Sequence, residues 1–394
     1  MATFDYHSLK KKYGNFSNSF AQVEANRKNL KNNKEGLVIS DIEVELTSGY
    51  EASIATFHVY NCYNPTISRF ETEALKKYFL LGVPVKIAMG YGNSCREVFR
   101  GFIAQIRFFH EKEDIPGVEI TAMDVKGIMM ANNHSKQLKA MYFSDAVNEI
   151  LSNKAYTTLQ TNAVIDKLDI TPTPDKSALG GTSQQSKASD RTIEMVCESD
   201  YEFVVKAAKK YNFEFFSLGG TVYFRKAKDN KDILMEIGPD TGLTGYEISY
   251  DITGLTETIE VRGMDAGKAQ MITASGRLNE KISQGSKARA LLSKSKKTYI
   301  DPTISSKKEA DYRLEYLKEE MSFRYGSLEA RLIGLPELIP GRFIRMKELG
   351  NVVSNTFYVS SVTHSLNTED GFVTRITGKS SGLNSSTGGK GGTI

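Results

Sequence analysis

The side chains able to do chemistry are few and scattered. His110 and Glu111 open the pattern of a zinc protease, but the second histidine of that motif does not follow. His58 and Cys62 stand four residues apart, a spacing open to a nucleophile–base pair. Asn61 and Asn64 mark a strand end at that point, and no acidic partner is identifiable to orient the histidine. The stretch Gly90-Tyr91-Gly92-Asn93 lacks the lysine and the length of a phosphate-binding loop, and Gly-x-Ser-x-Gly does not occur. Glu43 and Glu45 recur at period 2, the pattern of a solvated strand face and not of a glycosidase acid pair. Cys62, Cys95 and Cys197 are far apart and odd in number, so they read as free thiols in a reducing compartment. No catalytic, cofactor-binding or metal-ligating set emerges.

What remains is electrostatic. The 394 residues carry a formal net charge of +4, but unevenly. Residues 1–36 hold seven Lys/Arg and three Asp/Glu, and residues 264–300 hold eight and two. The rest of the chain is therefore mildly acidic. Two basic segments on an acidic body fit either contact with an acidic partner or nucleic acid, or solvated loops. The candidate partner-contact residues are Lys268, Arg277, Lys281, Lys287, Arg289, Lys294, Lys296 and Lys297. No helix-turn-helix, zinc-finger or RNA-binding signature accompanies them.

The elements that must position these residues are mostly strands. Hydrophobic residues make up 40% of the chain and charged residues 25%, ordinary values for a globular protein of two or three domains. No apolar run is long enough to span a bilayer, and residues 1–14 lack the apolar core of a secretion signal. After a polar arm over 1–36, period-2 alternation predicts strands over 37–46, 52–60, 84–91, 98–110 and 118–123. A helix is expected over 66–81, through Phe70, Ala74, Leu75, Tyr78 and Phe79. Residues 171–190 are rich in Thr, Ser, Pro and Gly and read as a loop. Ser199 and Asp200 cap a helix that carries Glu202 in its first turn. Aromatic strands follow over 213–216 and 221–224 around Gly219-Gly220. Strands are expected over 243–250 and 256–262, then a long basic loop over 264–304, a helix over 307–323, and strands over 325–333, 343–348, 357–366 and 371–377.

Two segments carry a resemblance. One is Cys197 to Arg225, read as Ser-Asp-Tyr, helix, aromatic strand, Gly-Gly, and a strand ending in arginine. The other holds Pro340-Gly341, Val362-Thr363-His364 and Gly371-Phe372 in order. Both resemble the contractile-tail hub family, which includes phage late control gene D proteins, baseplate hubs and the N-terminal part of VgrG spikes. Read from the residues alone, the aromatics of Cys197 to Arg225 are core residues and not a ligand-binding set.

The resemblance spans about residues 37–380. It implies a mostly β fold with α+β parts: two similar tube-type β-barrels over 37–125 and 243–380, and a mixed α/β region over 126–242. Residues 1–36 are then an arm, 264–304 a basic insert, and 381–394 a disordered tail. The implied protein is a structural baseplate hub, not an enzyme. It is a homotrimer adapting a six-fold tail tube to a three-fold spike around an axial channel. Its implied partners are the tube or a tube initiator, a separate spike protein and baseplate wedge proteins, with nucleic acid only passing through. Its implied place is the bacterial cytoplasm during assembly, then a virion or tail-like particle. A tail-borne cell-wall-degrading enzyme and the hub of a type VI secretion spike are the alternatives.

Overall fold

The structure, a computed structural model, describes residues 3–111, 114–174, 193–265, 268–278, 286–302, 304, 306–351 and 353–382. Residues 383–394 of the tail expected over 381–394, and most of the loop expected over 171–190, lie outside the described residues.

The first part of the chain holds α1 (Tyr6–Lys12), β1 (Ser19–Ala25), β2 (Val38–Thr47), β3 (Ile54–Tyr60), α2 (Thr72–Leu75), β4 (Pro84–Tyr91), β5 (Ser94–Phe109) and β6 (Gly117–Met123). The strands fall where alternation places them, with Ile42, Val44 and Leu46 of β2 buried and Glu43 and Glu45 exposed. Two expectations fail. Residues 1–36 are not a loosely packed arm. β1 is a strand of the main sheet, paired antiparallel with β4 from Ser19↔Tyr91 to Ala25↔Val85. Tyr6, Leu9, Tyr13, Val23, Ala25 and Leu30 are all buried in the largest core. Apolar residues are sparse there, but most of them lie at core-facing positions, which composition cannot reveal. The helix expected over 66–81 shrinks to the single turn of α2. Tyr63–Asn64 pairs with Arg69–Phe70 instead, turning through Ser68 at φ 51°, so the first residues are spent in a hairpin. Leu75, Tyr78 and Phe79 still face inward, with the Phe79 ring 6.0 Å from Phe57.

The middle of the chain holds β7 (His134–Leu138), α3 (Phe143–Leu151), β8 (Lys167–Ile170), β9 (Ile193–Glu198), α4 (Asp200–Tyr211), β10 (Phe213–Leu218) and β11 (Thr221–Lys226). α4 begins with a capping box: the Ser199 hydroxyl accepts from Glu202 N, and the Glu202 carboxylate accepts from Ser199 N at 2.7 Å. It ends on Asn212 in the left-handed region. Phe203, Val204, Ala207 and Ala208 bury against α3 and the β8–β11–β10 sheet, forming a second core.

The last part holds β12 (Ile233–Ile237), β13 (Leu243–Tyr250), β14 (Thr258–Asp265), β15 (Gln270–Arg277), α5 (Ser286–Leu292), β16 (Lys296–Ile300), α6 (Lys307–Ser322), β17 (Gly326–Ile333), β18 (Arg342–Met346), β19 (Thr356–Asn367) and β20 (Gly371–Ser380). The basic segment is not a loop. β15, β14 and β16 form a three-stranded sheet, and α6 packs on one face of it. Ile259, Val261, Ala274 and Leu278 meet Ala310, Leu314, Leu317 and Met321 in a third core. Burying each large aliphatic side chain contributes about 1.5–3 kcal/mol, enough to fix strands that lysines and serines disguise in the sequence.

One antiparallel sheet unites the two ends of the chain, in the order β13-β17-β20-β19-β2-β3-β6-β5-β4-β1. β19 makes the joint. Its first half pairs with β18, from Arg342↔Val359 to Arg345↔Thr356, and its second half pairs with β2, from Ser361↔Thr47 to Leu366↔Ile42. Between them Ser360 is bulged out of register, and its carbonyl accepts from Ser48 N at 3.0 Å.

Candidate functional site

Residues 334–341, Gly-Leu-Pro-Glu-Leu-Ile-Pro-Gly, connect β17 to β18 and are buried throughout. A buried connection must satisfy its backbone from inside the protein. Gly334 N donates to Phe372 O at 2.8 Å, and Tyr91 Oη donates to Gly334 O at 2.9 Å. Leu335 N donates to Thr374 Oγ1 at 2.9 Å. His364 Nε2 lies 3.2 Å from Leu338 O, and His364 Nδ1 lies 3.0 Å from Thr374 Oγ1. A carbonyl only accepts, so Nε2 carries the proton and Nδ1 accepts the Thr374 hydroxyl. Burial pushes the His364 pKa down to about 4. The Glu337 carboxylate accepts from Tyr13 Oη at 2.7 Å and from Lys12 Nζ at 2.9 Å, tying α1 to the same segment. Gly341 sits at φ +77°, and a Cβ there would come within 2.9 Å of Arg225 Nη2. The motif residues Pro340-Gly341, Val362-Thr363-His364 and Gly371-Phe372 thus surround one buried segment.

The Cys197–Arg225 motif reaches that segment too. Across the Gly219-Gly220 turn, Glu214 is the register partner of Arg225. Arg225 Nε donates to Glu214 Oε1 at 2.7 Å, and Arg225 Nη2 donates to Gly341 O at 2.9 Å. The Tyr358 hydroxyl donates to the other Glu214 oxygen. Burial pushes the Glu214 carboxyl pKa up, against the opposing pull of Arg225. Burial, and then the Glu214 charge, raises that of Tyr358. Glu214 and Tyr358 drew no notice in the sequence. A two-residue hairpin fixes its register, so a glutamate within Phe-Glu-Phe-Phe opposite an arginine was a readable signal.

The charged candidates lie on the small sheet. Lys268 is in the β14–β15 turn, 3.8 Å from Asp265. Arg277 ends β15, Lys287 and Arg289 are exposed on α5, and Lys297 is exposed on β16. Lys294 holds a left-handed turn at φ 70°, and its backbone N donates to Glu257 Oε2 at 2.6 Å. Lys296 Nζ donates to Glu260 Oε2 at 2.5 Å. Lys281 lies outside the described residues. On the face away from α6, Met264 pairs with Met271 across the strands, and Ile300 stands beside Arg262; these three are 60–79% exposed. The face therefore joins cations to unburied apolar side chains, a combination suited to protein contact.

The remaining candidates do not assemble. His58 sits partly exposed on β3, 3.4 Å from Asp41 and from Glu119, while Cys62 is buried and donates to Val59 O at 3.3 Å. Asn61, at φ 57°, ends the strand between them and breaks the parity that a four-residue spacing assumes. His110 stacks on Tyr63 at 5.0 Å. Gly92, at φ +58°, turns β4 into β5. Among the described residues no group of three His, Cys, Asp or Glu side chains is arranged to hold a metal ion.

The chain belongs to the Alg8 N-terminal domain family, whose model matches residues 64–368. Solved structures share its fold over nearly its whole length. A tail protein from Neisseria meningitidis MC58 has a TM-score of 0.64 at 11% identity, covering 92% of this chain and 97% of that one. The 43 kDa tail protein of prophage MuSo2 from Shewanella oneidensis has a TM-score of 0.61 at 11% identity, covering 91% and 98%. An Escherichia coli protein, described as a component of the type VI secretion system with structural similarity to T4 bacteriophage tail proteins, has a TM-score of 0.51 at 12% identity, covering 89% and 74%. No curated protein matches the sequence. The fold is thus a tail-protein fold, mostly β with large antiparallel sheets, and no helix among the described residues is long and apolar enough to cross a membrane.

Proposed function

We propose that the chain is a structural component of a phage-type tail, acting as its baseplate hub. The observation that carries this reading is the likeness of fold to tail proteins over 91–92% of this chain and 97–98% of theirs. In this reading residues 37–125 and 243–380 are two tube-like units, with residues 126–242 beside them. Three copies present six such units to a six-fold tube and one three-fold axis to a spike. The buried segment 334–341 suits a mechanical part. It is pinned by the N-terminal helix, by β4, by the middle region and by the β19–β20 hairpin, so load on one unit is shared by the others. No reaction is assigned to it.

The partners are the tube or its initiator, a spike protein and wedge proteins. The cations around the small sheet, Lys268, Arg277, Lys287, Arg289, Lys294, Lys296 and Lys297, together with Lys281, meet an acidic neighbour among them. Assembly takes place in a bacterial cell, and the protein ends in a virion or tail-like particle. The likeness to a type VI secretion component favours a second reading, the hub of such a spike.

Light scattering of the purified chain tests the hub. The expected mass is three times 43.8 kDa, and electron cryomicroscopy should show three copies around an axial channel. A monomer at micromolar concentration, with no ring in assembled particles, would overturn the reading. Lytic activity of the purified chain on bacterial cell wall would replace it with the enzyme alternative.

A further inference from the structure

Behind the end of β11 lies a cavity of about 370 Å3, between the 226–231 turn, the C-terminus of α6 and β18. Lys226, Lys228 and Lys231 line it. Lys228 Nζ lies 4.7 Å from the centre of the Phe323 ring and 5.3 Å from that of Tyr358, and Lys231 Nζ lies 5.1 Å from that of Phe343. Lys228 is held in the left-handed backbone region at φ 55°. Lys379, across the strand from Tyr358, adds a like charge. Among the described residues, none of these four ammonium groups has a carboxylate within ion-pair distance. The carboxylates nearby are engaged elsewhere: Glu214 by Arg225 and Tyr358, and Glu319 by the Asn212 amide. Asp229, on the same turn, pairs with none of the four. Burial lowers the Lys228 pKa, as expected of a cation withdrawn from water.

We propose that this lysine-lined, aromatic-walled pocket binds an acidic peptide segment of a neighbouring protein, its Glu or Asp carboxylates seated among Lys226, Lys228 and Lys231. Clustered cations, two of them over aromatic faces and none within ion-pair distance of a described carboxylate, are complementary to carboxylates. The shape and lining favour peptide over nucleic acid. At about 370 Å3 the cavity admits carboxylate side chains and not a duplex, and its wall carries aromatic faces beside the lysines. The inference goes beyond the hub reading and does not depend on it, because its test uses the purified chain alone.

The test is calorimetric titration of the full chain with an acetylated hexaglutamate peptide, at low and at physiological salt, with pyrophosphate and a short DNA duplex as separate arms. Lys226→Ala/Lys231→Ala and Lys228→Met are titrated alongside. Lys226 and Lys231 are exposed, so the double variant should fold even if Lys228→Met does not. The peptide should bind the wild type and bind each folded variant about tenfold more weakly or worse, whereas the duplex and pyrophosphate show no lysine-dependent binding. Absent peptide binding, or equal binding to wild type and variants, would overturn the proposal. Tighter binding of pyrophosphate or duplex with the same lysine dependence would overturn it in favour of a phosphate site.

Discussion

Acid should unlock the buried segment through His364, and the size of the effect follows from its surroundings. The ring is fully buried in β19, its Nε2 proton goes to Leu338 O, and its bare Nδ1 takes the Thr374 hydroxyl. Protonating Nδ1 would reverse that contact, so that the Thr374 oxygen, already accepting from Leu335 N, has to accept a second bond and turn its own proton away. Burial is the main cause that lowers the pKa from 6.5 to about 4; a charge at Arg96 adds to it, and the Leu338 carbonyl opposes it. A depressed pKa leaves stability intact above about pH 6.5. As pH falls below that value the unfolded chain takes a proton that the folded chain refuses. Stability then drops by about 1.4 kcal/mol per pH unit until the folded pKa is passed, about 3 kcal/mol in all. His364→Gln removes this titration at a fixed cost of about 1–3 kcal/mol for imperfectly matched partners. Urea unfolding of both proteins at pH 7.5 and pH 5 gives the comparison, since other groups cancel at equal pH. Over that interval the wild type should lose about 2 kcal/mol that the variant keeps. Parallel losses in the two proteins would refute the assigned protonation and the closed state of the segment.

Three further outcomes are expected. Tyr358→Phe leaves a buried Glu214 oxygen without its donor and should cost about 1–3 kcal/mol in urea unfolding, with far-UV circular dichroism unchanged. Ser199→Ala removes half of the α4 capping box and should cost about 1 kcal/mol, read as a lower thermal midpoint. Leu314→Ala, on the face of α6 that covers β14 and β15, should cost about 2–5 kcal/mol. Limited proteolysis of that variant should cut first within residues 258–300; cutting first in the main sheet would show that the small sheet is not an independent packing unit.

Local pattern carried much of this fold. Strands with a single buried face, such as β2 and β17, declare themselves by alternation, and α4 declares itself by its cap and aromatic neighbours. The failures have physical causes. β15 and β16, unlike the expected β14, turn Ile272, Ala274 and Tyr299 toward the core behind a surface of lysine, serine and methionine, so composition reads as loop while parity, looked at alone, reads as sheet. The N-terminal residues have few apolar side chains because β1 extends the main sheet and turns only alternate residues, Val23 and Ala25 among them, into the core. The pairing of Glu214 with Arg225 was available from hairpin register. The contacts of Tyr358 with Glu214 and of His364 with Leu338 were not, because they join positions whose proximity depends on the whole topology.

β19 shows where one-dimensional pattern must stop. In residues 357–366 the core-facing positions are Phe357 and Val359, then Val362 and His364, a change from odd to even. An uninterrupted strand keeps one parity, so no single alternation fits the run, and the sequence reads only as generally apolar. The change falls at Ser360, where the bulge adds the extra residue. The same residue lets β19 exchange β18 for β2, because the bulge carbonyl is taken by Ser48 at the end of β2. Without the bulge, Val362 and His364 would turn to the opposite face and leave Leu338 O without its donor. The sheet that unites the two ends of the chain and the proton that holds the buried segment therefore depend on the same one-residue break in register.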